Sequence, residues 1–201
     1  LQALLDGVMV GSIFALVAYG MALVWGVMNI INVAQGEYVI LGGYITFGIY
    51  KLGVSPIYGM PFSFLFLFIL GYILYRLIVF RVVDKDMFIS ILATFGISIM
   101  IQQFMNMFFG SQVETALTGL GTIFFFDGNI TIALVKVFSF VISILGAIAV
   151  IYFMRVSKLG RAIRATAQNP RAARILGVDT EKVYAYTYAI NAGLCGLAGS
   201  L

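Results

Sequence analysis

The amino-acid sequence predicts an all-α fold, a polytopic bundle of transmembrane helices. Three observations lead to this prediction: 62% of the 201 residues are hydrophobic, only 10% are charged, and the mean hydropathy is +1.07. A soluble domain averages about 45–50% apolar and about 25% charged residues. Because this chain has too few polar residues to cover a soluble core, the lipid bilayer must be the solvent for most of it.

Five uncharged runs are long enough to span a bilayer core of about 30 Å, which takes about 20 helical residues. They are residues 7–27, 52–75, 87–109, 137–154 and 183–201. The second run is expected to begin later than residue 52, because Pro56 and Pro61 interrupt it. A sixth run, residues 38–50, is shorter and lies between Glu37 and Lys51. It is expected to be either a short tilted helix or a re-entrant one.

The loop charges predict the orientation. If all six runs cross, one side carries ten of the twelve basic residues, and the other carries only Lys51 and Lys136. By the positive-inside rule the loop from Arg155 to Lys182 is then cytoplasmic. Residues 1–201 are interpreted as a single membrane domain. We expect it to be a fragment, since it begins at Leu1 without a Met and stops inside an apolar run.

The composition argues against an enzyme, a metal site and a bound cofactor. The sequence has no histidine and one cysteine, Cys195, so the commonest general base and the usual zinc ligands are missing. No phosphate-binding loop of the form GxxxxGKS/T occurs, so the chain is not expected to hydrolyse ATP itself. The net charge of +4 comes from loop residues and does not predict a nucleic-acid partner.

Within the basic loop, the segment NPRAARILG predicts a short helix with defined ends. Asn169 suits the N-cap, Pro170 the first helical position, and Gly177 the left-handed position after the last turn. So short a helix is marginal alone in water and needs a partner surface. We interpret it as a helix that docks onto a soluble subunit.

Two kinds of side chain on this helix suit such docking. A small apolar face is made by Ala172, Ala173, Ile175 and Leu176. The side chains of Arg171 and Arg174 are suited to hydrogen bonds with carboxylates or carbonyls of a partner. The alternative is a basic loop that only sets topology and lies on anionic lipid headgroups.

Two segments resemble a known family. The loop GRAIRATAQNPRAARILGV is similar to the coupling loop of ABC importer permeases, in which a Glu-Ala-Ala triplet precedes a glycine by three residues. Here Arg171 replaces the Glu, so the contact made by that Glu does not carry over. This loop, the later run NAGLCGLAG and the N-terminal stretch with Gly36-Glu37 resemble the branched-chain amino acid permease family. That family also includes urea and short-chain amide permeases, and it commonly has His where this chain has Gln35.

The resemblance implies a permease subunit of an ATP-driven importer. Its expected partners are two cytoplasmic ATPase subunits, a second related permease subunit and a periplasmic substrate-binding protein. The expected substrates are branched-chain amino acids, with urea or short amides as the alternative. From a different class, an ion-coupled secondary transporter remains an alternative, although no paired charges occur within the apolar runs.

Polar residues near or within the apolar runs are candidates for the translocation path. They are Asn32, Gln35, Glu37, Gln102, Gln103 and Asn106. Glu37 has two interpretations, as a group on the substrate path or as a carboxylate that meets the positive end of the following helix. The three amides after residue 100 have helical spacing and are suited to hydrogen bonds between helices.

Small residues recur four residues apart in two places, as expected where helix backbones approach closely in lipid. The first stripe is Gly7, Gly11 and Ala15, and the second is Ala192, Gly196 and Ser200. They predict helix packing and carry no information about the substrate.

Overall fold

The computed structural model describes residues 2–83, 85–110, 121–125 and 130–201. The described chain is a helical bundle, as the composition predicts. Its helices are α1 (Gln2–Met28), α2 (Gln35–Lys51), α3 (Pro56–Leu77), α4 (Met87–Phe109), α5 (Leu134–Val156), α6 (Lys158–Gln168), α7 (Pro170–Ile175) and α8 (Thr180–Gly199). A 3₁₀ turn, Val79–Arg81, follows α3.

A short antiparallel hairpin joins α4 to α5. Strand β1 (Thr122–Phe125) pairs with β2 (Ile130–Ala133), with Thr122 opposite Ala133 and Phe125 opposite Ile130. The all-α prediction included no strands, so the hairpin is an addition to the helical class. Its end of the bundle also holds the start of α1, because the Gln2 amide and the Thr131 backbone exchange two hydrogen bonds, of 2.7 and 3.1 Å.

Four helices in the described residues are long and apolar enough to cross a membrane: α1, α3 with its 3₁₀ turn, α4 and α5. The predicted span 87–109 has the same bounds as the observed helix α4. The span predicted to start later than residue 52 begins at Pro56, which occupies the first turn of α3. Proline lacks a backbone N–H, and the first turn of a helix is where none is needed.

The run 183–201, predicted as a fifth span, corresponds to α8 and differs from the other four. Most of its residues are buried, and it packs against α1, α2 and α3. Small residues permit this close packing: a side-chain carbon added at Gly42 of α2 would lie 2.5 Å from the Gly196 carbonyl oxygen. The helix therefore tolerates threonine, tyrosine and asparagine, because its surroundings are protein.

Helix α2 is the short element whose course the sequence left open. Its 17 residues span about 25 Å, less than a bilayer core. Its first turns lie beside the middle of α8, where the Tyr38 and Tyr188 hydroxyls are 2.9 Å apart. From there it runs antiparallel to α3, and Thr46 hydrogen-bonds Ser63 at 2.9 Å. Helix α2 therefore starts deep in the bundle and ends near the turn at Gly53.

Candidate functional site

The end of the bundle opposite the hairpin carries α6, α7 and the 3₁₀ turn, and we call it the basic end. Ten basic residues lie there or in the turn before α4: Arg76, Arg81, Lys85, Arg155, Lys158, Arg161, Arg164, Arg171, Arg174 and Lys182. A cleft of about 660 Å³ opens between the 3₁₀ turn and the junction of α7 with α8, lined among others by Phe80, Arg174 and Glu181.

The ends of α7 are as predicted. The Asn169 side chain accepts a hydrogen bond of 3.0 Å from the Ala172 backbone N–H, and Pro170 opens the helix. At the other end Gly177 has φ +84°. Its N–H donates to the Arg174 carbonyl at 3.0 Å, and the Val178 N–H donates to the Ala173 carbonyl at 2.9 Å. These paired bonds are the Schellman motif, which terminates a helix and satisfies its last carbonyls.

The two faces of α7 have different surroundings. Ile175 is 86% exposed and Leu176 is 82% exposed, whereas Ala173 is 3% exposed against the rest of the bundle. The Arg174 Nε donates to the Thr180 hydroxyl at 2.6 Å, so this arginine also holds α7 against the start of α8. Ala172 and Arg171 are exposed. The apolar tip of α7, defined as Ile175 and Leu176, is therefore the part that projects from the molecule.

The sequence analysis missed α6. Ser157 caps it by accepting a 2.8 Å hydrogen bond from the Gly160 N–H. Gly160 and Ile163 are buried, and the basic side chains lie on the opposite, exposed face. A side-chain carbon at Gly160 would overlap the Met154 backbone, so the glycine lets α6 fold back sharply on α5. Ser157 followed by apolar residues at helical spacing was the signal that could have predicted this helix.

Asp179 caps the first turn of α8 at the same end. Its carboxylate accepts a hydrogen bond of 3.1 Å from the Lys182 backbone N–H and pairs with the Lys182 ammonium at 3.0 Å. The hydrogen bond from the Lys182 backbone lowers the pKa of Asp179 most, and the hydrogen bond from the Lys182 side chain lowers it further. The junction of α7 with α8 is thus held by Arg174–Thr180 on one side and by this cap on the other.

Two of the predicted path residues meet near the start of α2. Asn32 is 2% exposed, and its Oδ1 accepts a 3.2 Å hydrogen bond from the Tyr188 hydroxyl. Gln35 is 7% exposed, and its Nε2 donates to the Val17 carbonyl at 2.7 Å. One polar atom on each has no partner in the described part of the chain: Asn32 Nδ2 and Gln35 Oε1.

Glu37 faces a different helix. It lies in the first turn of α2, where a carboxylate meets the positive end of the helix dipole. Its Oε1 accepts a 3.3 Å hydrogen bond from the Ser98 hydroxyl of α4, and its Oε2 is buried without a partner among the described residues. The carboxylate thus bonds across to α4, and the N-cap of α2 is Ala34, which makes no side-chain cap bond.

The α4 amides do not join this group. Gln102, Gln103 and Asn106 are all exposed on the surface of the described chain. The structure therefore separates the six predicted path residues into a buried set at the start of α2 and an exposed set on α4. The sequence analysis also missed Asn191 of α8, which is fully buried with its Nδ2 unpaired among the described residues.

The two stripes of small residues also have different positions. Ala192 and Gly196 face α3: a side-chain carbon at Gly71 would lie 2.6 Å from Ala192 Cβ, and one at Gly196 would lie 2.5 Å from Leu67. Ser200 lies just past α8 and bonds the Leu197 carbonyl at 2.7 Å. Gly7, Gly11 and Ala15 are exposed on α1, and carbons added at the two glycines would meet no described atom within 4 Å.

These features define an integral membrane protein, a helix bundle with a capped helix projecting from its basic end. The chain belongs to the family described as the permease component of branched-chain amino acid transport systems, whose model matches residues 3–201. It is a permease subunit of a transport system. This membership supports the predicted importer permease over the secondary transporter.

Named relatives agree with the family. The chain is 29% identical to the high-affinity branched-chain amino acid transport system permease protein LivH of Salmonella typhimurium, over all of this chain and 70% of the relative. It is 28% identical to LivH of Escherichia coli K12 and 29% identical to BraD of Pseudomonas aeruginosa, with the same coverage. No solved structure matches the chain.

Proposed function

We propose that this chain is the membrane-spanning permease subunit of an ATP-driven importer that moves branched-chain amino acids across the bacterial inner membrane. The relatives are named for branched-chain amino acid transport, which supports that substrate class over urea or short amides. The observation that carries the proposal is the capped α7, which holds Ile175 and Leu176 out from the basic end.

Two cytoplasmic ATPase subunits are the proposed partners of the basic end. Exposed aliphatic side chains on a rigid two-turn helix suit a groove on a soluble protein, where burying each one is worth about 1.5–3 kcal/mol. The cleft beside α7 offers a second contact for the same partner. Movement of the ATPases would push α7, and the Arg174–Thr180 bond would pass that movement to α8 as a rigid-body displacement.

The orientation follows from the same assignment. Ten basic residues at the α7 end, against Lys51 and Lys136 elsewhere, favour a cytoplasmic location for the loop from Arg155 to Lys182. A periplasmic binding protein would then deliver substrate at the hairpin end.

A second, related permease subunit is proposed to complete the pore. Exposed amides are costly in lipid, so the α4 amides support a protein neighbour on that face. The exposed stripe of Gly7, Gly11 and Ala15 on α1 allows close approach of another helix. Asn32, Gln35 and Glu37 are the proposed polar groups of the translocation path within this subunit.

Reconstitution tests the proposal. The full-length permease is co-expressed with its genomic neighbours, purified through the permease, and placed in proteoliposomes with the binding protein and radiolabelled leucine. We expect an ATPase subunit to co-purify, and uptake to require ATP, to survive an ionophore that collapses ion gradients, and to be inhibited by valine but not by urea. Uptake driven by an ion gradient without ATP would contradict the class, and inhibition by urea alone would contradict the substrate.

A further inference from the structure

Helix α1 and helix α2 are joined by a partly buried, non-helical segment, residues 29–34. Asn29 has φ 53°, a left-handed conformation that asparagine tolerates better than most residues. Ile30, Asn32 and Ala34 are no more than 3% exposed, which is unusual for a connection between helices. In membrane proteins, irregular backbone at depth occurs where it is enclosed by protein or lines a cavity.

This segment lies about halfway along α8. Asn32 contacts Tyr188, and α8 runs from Thr180 to Gly199, about 30 Å in all. Tyr188 is therefore about 12 Å from the start of α8, and Asn191 about 16 Å. The first turn of α2, which carries the positive end of the helix dipole, lies at the same level along α8. Broken helices that begin at mid-membrane are typical of substrate sites in transporters.

Three amide side chains converge there without full hydrogen bonding: Asn32, Gln35 and Asn191, which we call the buried amide site. Among the described residues, Asn32 Nδ2, Asn191 Nδ2 and Gln35 Oε1 have no partner. Exchanging the oxygen and nitrogen of either asparagine still leaves one unpaired atom on it, and the bond to the Val17 carbonyl fixes the Gln35 amide. Buried polar atoms in native proteins nearly always have a partner.

The three amides are close together in the bundle. Gln35 bonds Val17, and Asn191 lies against Gly20, where a side-chain carbon would come within 2.5 Å of its Oδ1. Val17 and Gly20 are one turn apart on α1, about 5 Å along its axis. Asn32 joins the same part of α8 through Tyr188, three residues before Asn191.

We propose that the buried amide site binds the α-carboxylate and α-ammonium groups of the transported amino acid; this rests on the proposed function above. The two asparagine N–H donors suit a carboxylate, which accepts hydrogen bonds through both oxygens. The Gln35 oxygen accepts from the ammonium group. An amino-acid zwitterion has no net charge. Hydrogen bonds from uncharged amides can therefore replace those from its hydration water without leaving an unpaired ion buried. Because the amides are almost fully buried, the bundle must open for the amino acid to reach them.

The substitutions Asn32→Asp and Asn191→Asp test this. Each preserves shape but replaces an N–H donor with a negative oxygen, which repels a carboxylate. We expect kcat/KM for ATP-driven leucine uptake to fall at least about 30-fold, the factor that corresponds to about 2 kcal/mol. The matched control is Asn29→Asp, at an exposed position in the same segment, which should transport normally.

Thermal shift of the purified complex without binding protein gives an independent measurement. Leucine should raise the melting temperature of the wild type, leucinol, which lacks the carboxylate, should not, and both Asp variants should lose the leucine response. Equal responses to leucine and leucinol, or Asp variants with normal uptake, would overturn the proposal and leave the amides as a structural or water-filled site. A wild type without ATP-dependent leucine uptake would instead contradict the proposed function.

Discussion

Truncation of the apolar tip of α7 should weaken binding of the ATPase without unfolding the helix. Ile175 and Leu176 are 86% and 82% exposed, so nearly all of their area is available to a partner. Alanine is the best helix former, so Ile175→Ala and Leu176→Ala leave the helical preference of α7 intact. The Asn169 cap and the Gly177 end are also untouched.

The magnitude follows from the area that is lost. Burying an aliphatic side chain of this size is worth about 1.5–3 kcal/mol, and alanine keeps only its first carbon. A loss of about 2 kcal/mol per residue corresponds to about 30-fold in Kd, and the double variant to on the order of 1,000-fold. Hot-spot residues at the centre of an interface have effects of this size.

The assay is the Kd of the ATPase subunit for the permease in lipid nanodiscs, measured by biolayer interferometry, together with ATP-driven leucine uptake. Leu52→Ala is the matched control, since Leu52 is 81% exposed in the turn between α2 and α3. A change in Kd below threefold for the double variant would refute α7 docking. It would favour the alternative that the loop only lies on lipid. Ala173 is a poor test position because it is buried, and a charge there would disturb the bundle itself.

Three further predictions concern packing, the end of α7 and the neighbouring subunit. Gly42→Ala should lower the melting temperature because its added carbon would lie 2.5 Å from the Gly196 carbonyl oxygen, whereas Gly48→Ala on the same helix, with open space, should not. Gly177→Ala should cost about 1 kcal/mol of local stability at φ +84°, seen as faster hydrogen exchange at α7 amides; unchanged exchange would contradict the Schellman end. In the assembled complex, the thiol of Gln103→Cys should be protected from a membrane-permeant maleimide by the second permease subunit, and full reactivity would contradict the proposed neighbour.

Local sequence features predicted the class, four of the spans and the ends of α7. Hydropathy reports how a segment partitions into lipid, and residues 87–109 form α4 with the predicted bounds. Capping depends on side chains within a few residues of each helix end. Asn169, Pro170 and Gly177 therefore could be recognised without any knowledge of the fold.

Only the tertiary structure decided which segments face one another. In sequence, the apolar run 183–201 resembles the other predicted spans. In the fold, α8 lies at the centre of the bundle because glycines on α2 and α3 let their backbones approach it. The same bundle brings Asn32 and Gln35 beside α8 and α1, where Asn191 is also buried. Caps depend on one helical turn and hydropathy on a single run of about 20 residues. Burial in the core depends on contacts between residues more than a hundred positions apart, such as Tyr38 and Tyr188.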